Sequence, residues 1–192
     1  MISGDHKFSS YGWVFSDNST LVVSSPIKSE PYMLTAISAD GKFISNVQIS
    51  PENGVASFDG SSWLEGTSGC AVIIGESNTP IRLSTKISSS KNSALYLRNL
   101  TTLSQSAGFS LPFSYFDRVS SFVVITNVDN IHAEFRSKAY GLLRGEVSFS
   151  LQPYQTLILD STKLYESTQT QSAIEGYLRL SSRGGRVILG IA

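Results

Sequence analysis

Glu146-Val147-Ser148-Phe149-Ser150-Leu151 sets an apolar side chain at every second position and a polar one between. Successive side chains of a strand point to opposite faces, so this period of two describes a strand with one face buried and one wet. Such a strand belongs to an antiparallel sheet rather than to a parallel one covered on both sides. The same grammar runs through the whole chain. Short runs rich in Val, Ile, Leu, Phe and Tyr lie between clusters of Gly, Asn, Asp, Pro and Ser, and no stretch keeps an apolar helical stripe for three turns. The spacing predicts strands near Gly12–Phe15, Thr20–Ser24, Tyr32–Ser38, Lys42–Ile49, Val55–Phe58, Cys70–Ile74 and Ile81–Lys86. A further strand is expected at Ala94–Arg98. Others follow at Phe109–Phe113, Ser121–Thr126, His132–Ala139, Leu142–Leu151, Thr156–Leu159, Gly176–Ser181 and Arg186–Ile191. Asp40-Gly41 is the strongest hairpin signal, because Gly accepts the positive φ that a primed turn demands.

The opening stretch also has a counterpart earlier in the chain. Val47-x-Ile49-Ser50 matches Val147-x-Phe149-Ser150, Ala39-x-Gly41 matches Ala139-x-Gly141, and Ser61-x-x-Leu64 matches Ser161-x-x-Leu164. The offset slips by one at Leu21-Val22-Val23 against Phe122-Val123-Val124, and again at Asp59 against Asp160. After an insertion at Glu166–Ser172, Gly69–Ile73 matches Gly176–Leu180, and Ile81–Leu83 matches Val187–Leu189. The order and spacing of the matches carry the reading, since any single match is generic. The competing view is that two all-β halves look alike because strands look alike. The expected fold is all-β: two tandem antiparallel β-sandwich modules related by internal duplication. They would span 1–100 and 101–192, with the boundary inside the polar stretch 88–108. Short strands at this density fit a sandwich of immunoglobulin-like architecture, without the Cys-Trp-Cys core of antibody domains.

Composition narrows the function. The chain has 192 residues, with fifteen basic and fifteen acidic side chains. That balance gives no bias toward nucleic acid or an anionic membrane surface. Charged residues make up 16%, below the usual level of roughly a quarter; Ser and Thr supply the remaining polarity. Cys70 is the single cysteine, which excludes an intrachain disulfide and a cysteine-based zinc cluster. Its flanks, Ala71-Val72-Ile73-Ile74, read as those of an inert buried thiol. No apolar run is long enough to insert in a membrane as a helix. No charged-then-apolar leader is visible, which fits either a cytosolic protein or a trimmed chain whose Met1 was added.

The second copy shows an apolar strand into Thr126-Asn127, a turn at Tyr140-Gly141, Leu151-Gln152-Pro153-Tyr154-Gln155-Thr156, and then Gly176-Tyr177 before a last apolar strand. This order resembles tandem immunoglobulin-like β-sandwich modules of bacterial secreted and surface proteins over about 80 residues. In those modules an Asn after the first strand, a turn Gly, a Pro-x-Gln-Thr step and a late Gly-Tyr recur. The first copy departs from the pattern, with Ser25-Pro26 in place of Thr126-Asn127 and no Gln-Thr after Pro51. The resemblance implies adhesion, spacing or accessory binding, and carries no catalytic residue to this chain.

Each candidate for chemistry has a plainer competitor. Gly66-Thr67-Ser68-Gly69 has the setting of a protease nucleophile, which needs a His base and a carboxylate behind it. Only His6 precedes Ser68 and His132 follows it, so a Gly/Ser turn before a core strand is preferred. His132-Ala133-Glu134 puts an imidazole and a carboxylate on one strand face but lacks a third metal ligand nearby. Arg183-Gly184-Gly185-Arg186 is read as a hairpin turn rather than an RNA-binding element. Aromatic faces stack on sugars or anchor interfaces, and Trp63, Trp13, Tyr154 and Tyr177 are the ligand-contact candidates. Trp63 leads, because its counterpart Lys163 shows that the shared core does not require it; a packing role competes at both Trp residues. No catalytic residue, metal site or cofactor is expected, and no nucleic acid partner. The expected function is that of a non-catalytic binding or structural module of an extracellular or cell-surface protein, meeting a protein or glycan, with oligomers allowed. The alternatives are a virion or appendage component, a carbohydrate-binding accessory domain, and a cytoplasmic protein.

Overall fold

The computed structural model describes residues 8–15, 19–26, 31–64, 69–88, 94–103, 108–112, 122–141, 145–164 and 176–191. The chain forms two compact units, Met1–Asn99 and Leu100–Ala192. The described residues are strands, turns and short 3₁₀ turns. The fold is all-β and antiparallel.

The first unit runs β1 (Phe8–Phe15), β2 (Ser19–Ser24), β3 (Tyr32–Ser38), β4 (Phe43–Ile49) and β5 (Val55–Asp59). A 3₁₀ turn at Gly60–Trp63, β6 (Cys70–Ser77), β7 (Arg82–Ser88) and the start of β8 (Ala94–Leu103), whose last residues belong to the second unit, follow. One sheet has the order β1-β6-β3-β4, and β5-β2-β7-β8 lie side by side in the other. Their inward rows meet in a core of Val14, Leu21, Val23, Tyr32, Leu34, Ala36, Ile73 and Leu83, among others. Each Val, Leu or Ile among them contributes roughly 1.5–3 kcal/mol on burial.

The second unit runs β9 (Phe109–Pro112), β10 (Phe122–Asn127), β11 (Ala133–Gly141), β12 (Gly145–Leu151) and β13 (Thr156–Asp160). A 3₁₀ turn at Ser161–Leu164, β14 (Gly176–Gly184) and β15 (Val187–Ile191) complete it. Its sheets are ordered β9-β14-β11-β12 and β13-β10-β15. The core holds Val123, Ile125, Phe135, Leu151, Leu178, Leu180 and Leu189 with their neighbours. β1 to β7 and β9 to β15 therefore follow one plan: the same succession of strands, the same 3₁₀ turn after the fifth, and the same partners.

The registers fix which residues correspond. Leu34 lies opposite Val47 and Gly75; Phe135 lies opposite Phe149 and Ser182. Leu21 lies opposite Phe58 and Thr85; Val123 lies opposite Leu159 and Ile191. Gly69–Ile73 against Gly176–Leu180 follows as the sequence match has it. Val47, however, corresponds to Phe149 rather than Val147, and Ser38 rather than Ala39 to Ala139. Leu21 does not correspond to Phe122 but to Val123, one residue further on. A slip of one residue turns every side chain to the other face. The inward residues are Leu21 and Val23 in one unit and Val123 and Ile125 in the other, all fully buried.

Two turns differ from their expected form. Gly41 has φ 85°, but it closes a three-residue loop in which its N–H donates to Ser38 O (2.9 Å) and Ser38 N–H donates to Lys42 O (2.8 Å). The two-residue primed turn is thus replaced by a loop with glycine in the left-handed position. Gly184-Gly185 is not a hairpin turn within one sheet, since β14 pairs with β11 and β9 while β15 pairs with β10. The chain crosses there between sheets, and a Cβ on Gly184 (φ 83°) would sit 2.4 Å from His132 O. Fully buried Asn127 anchors this corner. Its Nδ2 donates to Ile131 O (2.7 Å) and Gln152 O (3.0 Å), and its Oδ1 accepts from Asp129 N–H (3.1 Å). Asp129 in turn accepts from the Arg186 N–H (2.7 Å), Nε (2.9 Å) and Nη2 (2.8 Å).

Candidate functional site

The period of two in β11 and β14 builds a continuous polar face on the outside of the second unit. β11 turns Ala133, Phe135, Ser137 and Ala139 inward, which leaves Glu134, Arg136, Lys138 and Tyr140 outward. β14 turns Leu178, Leu180 and Ser182 inward and Tyr177, Arg179, Ser181 and Arg183 outward. On β12 the outward row is Glu146, Ser148 and Ser150. Register then sets these side chains in ranks across the strands. Glu134 stands level with Ser150 and Arg183, Arg136 with Ser148 and Ser181, Lys138 with Glu146 and Arg179, and Tyr140 with Tyr177.

Two ends of this face have different chemistry. At one end the Tyr140 and Tyr177 rings stack, with centroids 5.1 Å apart and planes 12° apart. Lys138 Nζ lies 5.5 Å from the centre of the Tyr140 ring, within cation–π range. Tyr177 is 46% exposed, so the ring pair is open to solvent. At the other end His132, Glu134, Ser148, Ser150, Arg183 and Gly184 line an open depression. There Arg136 Nη2 donates to both Glu134 oxygens at 3.0 Å. The Arg136 hydrogen bond holds the Glu134 carboxyl below the usual range, against a smaller opposing effect of desolvation, with help from the charges of Arg136, Arg183 and His132.

Electrostatically the face is basic. Arg136, Lys138, Arg179 and Arg183 are opposed by Glu134 and Glu146 alone. Glu134 is committed to Arg136, which leaves Arg179 and Arg183 as exposed guanidinium groups on one strand. A planar guanidinium has a fork of donors suited to a carboxylate.

His132 Nε2 and Ser150 Oγ are 3.0 Å apart and exposed. This is the first contact of a base–nucleophile pair. Strand N–H groups lie in the plane of the sheet, whereas both side chains stand above it. No main-chain donor of β11 or β12 is thereby aimed at an oxyanion beside Ser150. The pair can hydrogen-bond to a ligand that meets this face. Glu134, the carboxylate that shares the strand face with His132, is engaged by Arg136, and no group of three or more His, Cys, Asp or Glu among the described residues could hold a metal.

The four aromatic candidates occupy separate places. Trp13 is on the outward row of β1 but only 1% exposed, so its ring offers no free surface. Trp63 lies in the 3₁₀ turn after β5, half-buried against the core, with its ring centroid 5.9 Å from that of Phe58. It anchors the turn. Tyr154 lies in the turn between β12 and β13 at φ 59°, a left-handed conformation that costs a non-glycine residue about 1–2 kcal/mol. That turn leaves β12 beside the rank of Ala133 and Leu151. Tyr177 sits seven residues along β11 from it by register, roughly 24 Å away at strand rise. Tyr177 alone of the four joins the polar face. Ser68 and His6, which a protease reading would need, lie outside the described residues. Cys70 is buried, and burial pushes its thiol up to about 12.

Arg136, Lys138 and Arg179 were not among the candidates, and Arg183 entered only as part of a turn. The signal that finds them is comparison of the two units at equivalent outward positions. Arg179 replaces Val72, Arg183 replaces Glu76, Arg136 replaces Thr35 and Lys138 replaces Ile37. Compared with family models, with curated proteins and with solved structures, the chain finds no match.

Proposed function

We propose that the chain is a pair of β-sandwich modules arisen by internal duplication, acting as a non-catalytic binding module of an extracellular or cell-surface protein. Its contact surface in this reading is the outer face of β9-β14-β11-β12. One observation carries it. The units share a plan, yet the face that bears Val72, Ile37 and Thr35 in the first bears Arg179, Lys138 and Arg136 in the second. The fold therefore does not demand charge at those positions, and a role outside the fold accounts for it. The resemblance to bacterial surface modules and the Ser/Thr-rich strands support the extracellular setting.

The reading is tested by presenting labelled protein to an array of glycans and surface proteins, with Tyr177→Ala and Lys138→Ser beside the parent chain. Binding that weakens in both variants, while their melting curves stay unchanged, is the expected result. Binding indifferent to both would remove the face from the account. Turnover of ester or peptide substrates abolished by Ser150→Ala would replace a binding function with an enzymatic one.

A further inference from the structure

We infer that the basic face takes an acidic polysaccharide, its carboxylate-bearing sugars received by Arg179 and Arg183 and a ring stacked on Tyr177; this rests on that face being the contact surface. Three features select this chemistry over other anions. First, the two guanidinium groups stand four residues apart on one strand, about 13 Å at strand rise. A ligand that satisfies both must carry acidic groups at intervals along an extended chain. Second, the Tyr177 ring stacks beside that of Tyr140 and is 46% exposed. A flat exposed ring suits the apolar face of a sugar. Third, the rank between these charges holds Ser148 and Ser181, and the rank of Arg183 holds Ser150, short hydroxyls that match a polyhydroxylated ligand.

An acidic peptide fits less well. Extended peptides pair with a sheet edge or fill a groove, taking main-chain hydrogen bonds. The residues here stand above the middle strands β11 and β14, whose backbones are already paired on both sides. A folded protein partner fits less well too, because interface centres are depleted in charge and built on apolar anchors. This face has charge at its centre.

The test uses the full chain and polygalacturonate as probe, with its fully methyl-esterified form and dextran as neutral counterparts and poly-glutamate as a non-sugar polyanion. Binding is followed by calorimetry and by affinity electrophoresis. The parent chain is expected to bind polygalacturonate, to weaken as salt rises, and to bind the ester and dextran at least about tenfold less well. Exposed ion pairs are worth up to about 1 kcal/mol, so Arg179→Gln and Arg183→Gln should each weaken binding by roughly two- to fivefold. Tyr177→Ala should weaken polygalacturonate binding and leave poly-glutamate unchanged. Arg82→Gln, on β7 of the first unit, should leave binding as it was. Circular dichroism of each variant checks that it folds. Equal binding of poly-glutamate and polygalacturonate, with Tyr177→Ala without effect, would overturn the sugar assignment. Binding of dextran or the ester in preference to the acid would overturn the acidic assignment while leaving a face-borne binding function standing. Loss of all glycan and protein binding would overturn both.

Discussion

Ser137→Ala should make the second unit more stable. Ser137 lies on the inward row of β11, fully buried between Phe135 and Ala139 and level with Val147 and Leu180. Its Oγ has no hydrogen-bond partner. An unpaired buried hydroxyl costs roughly 1–3 kcal/mol relative to water. Removing the oxygen leaves a void of roughly 15 Å³, which at about 24 cal/mol per Å³ costs about 0.4 kcal/mol. Lower strand propensity of Ala takes a few tenths more. The balance is a gain of about 1 kcal/mol, or roughly 4–8 °C in melting temperature for a unit of this size. The first unit already has this solution, since Ala36 occupies the equivalent place opposite Ser45 and Ile73. Equilibrium urea unfolding read by tryptophan-independent circular dichroism, together with calorimetry, would measure the change. Ser182→Ala supplies the contrast. Ser182 is equally inward and buried, but its Oγ donates to Leu103 O at 2.8 Å, so its loss strands a carbonyl and should cost about 1 kcal/mol. A lower midpoint in Ser137→Ala, or the same direction of change in both variants, would refute the reasoning.

Asn127→Ala should destabilise the second unit by about 2–4 kcal/mol, because it removes three hydrogen bonds of a fully buried side chain, two donated to the Ile131 and Gln152 carbonyls and one accepted from the Asp129 N–H; urea unfolding checks it. Asp129→Asn should narrow its stability gap to the parent chain in acid. Burial alone would raise the Asp129 pKa, but the Arg186 hydrogen bonds and charge outweigh it and hold the carboxyl below its ordinary 3.8. A depressed carboxylate contributes stability above that ordinary value and loses it as pH falls through the lowered one. Comparing both chains in urea at neutral pH and near pH 3 reads the difference, and a gap that widens in acid contradicts it. Cys70 should resist thiol reagents in the folded chain and react once denatured, because burial holds the thiol at about 12 and its thiolate is scarce.

The strands were legible because each carries its own evidence of burial. Tyr32–Ser38 coincides with the expected run, and Val55, Cys70, Phe109, Thr156 and Gly176 begin their strands where the expected runs begin. Which sheet a strand joins was not legible. Arg183-Gly184-Gly185-Arg186 has turn chemistry that serves a hairpin and a crossover alike, and the choice is made by the distant partners of β14 and β15. The slip at Leu21 has a related cause. Phe122-Val123-Val124-Ile125 is apolar without alternation, so period gives no hint of which residues face inward, and only pairing with Leu159 and Ile191 settles it. At the polar face, Tyr177 was found by its ring. Arg136, Lys138 and Arg179 were passed over because charge on a strand reads as an ordinary wet surface, and Arg183 because it was read as part of a turn.

That oversight has a physical remedy within the chain. A core position in one unit constrains its counterpart in the other, because both must fill the same kind of space: Leu34 answers Phe135, Ile73 answers Leu180, Leu83 answers Leu189. Outward positions share a constraint only where both are covered. Where they differ in kind, as Val72 and Arg179 do, the strand plan admits either residue. Burial shows the two outcomes. Val72 is fully buried and Ile37 nearly so, whereas Arg179 and Lys138 are exposed. A shared scaffold has thus given one face that is covered and one that stays in water with its cations only partly offset by Glu134 and Glu146. Exposed cations on a mid-sheet face add little to stability. Their concentration on β11 and β14 is therefore better explained by what meets the face than by what lies beneath it.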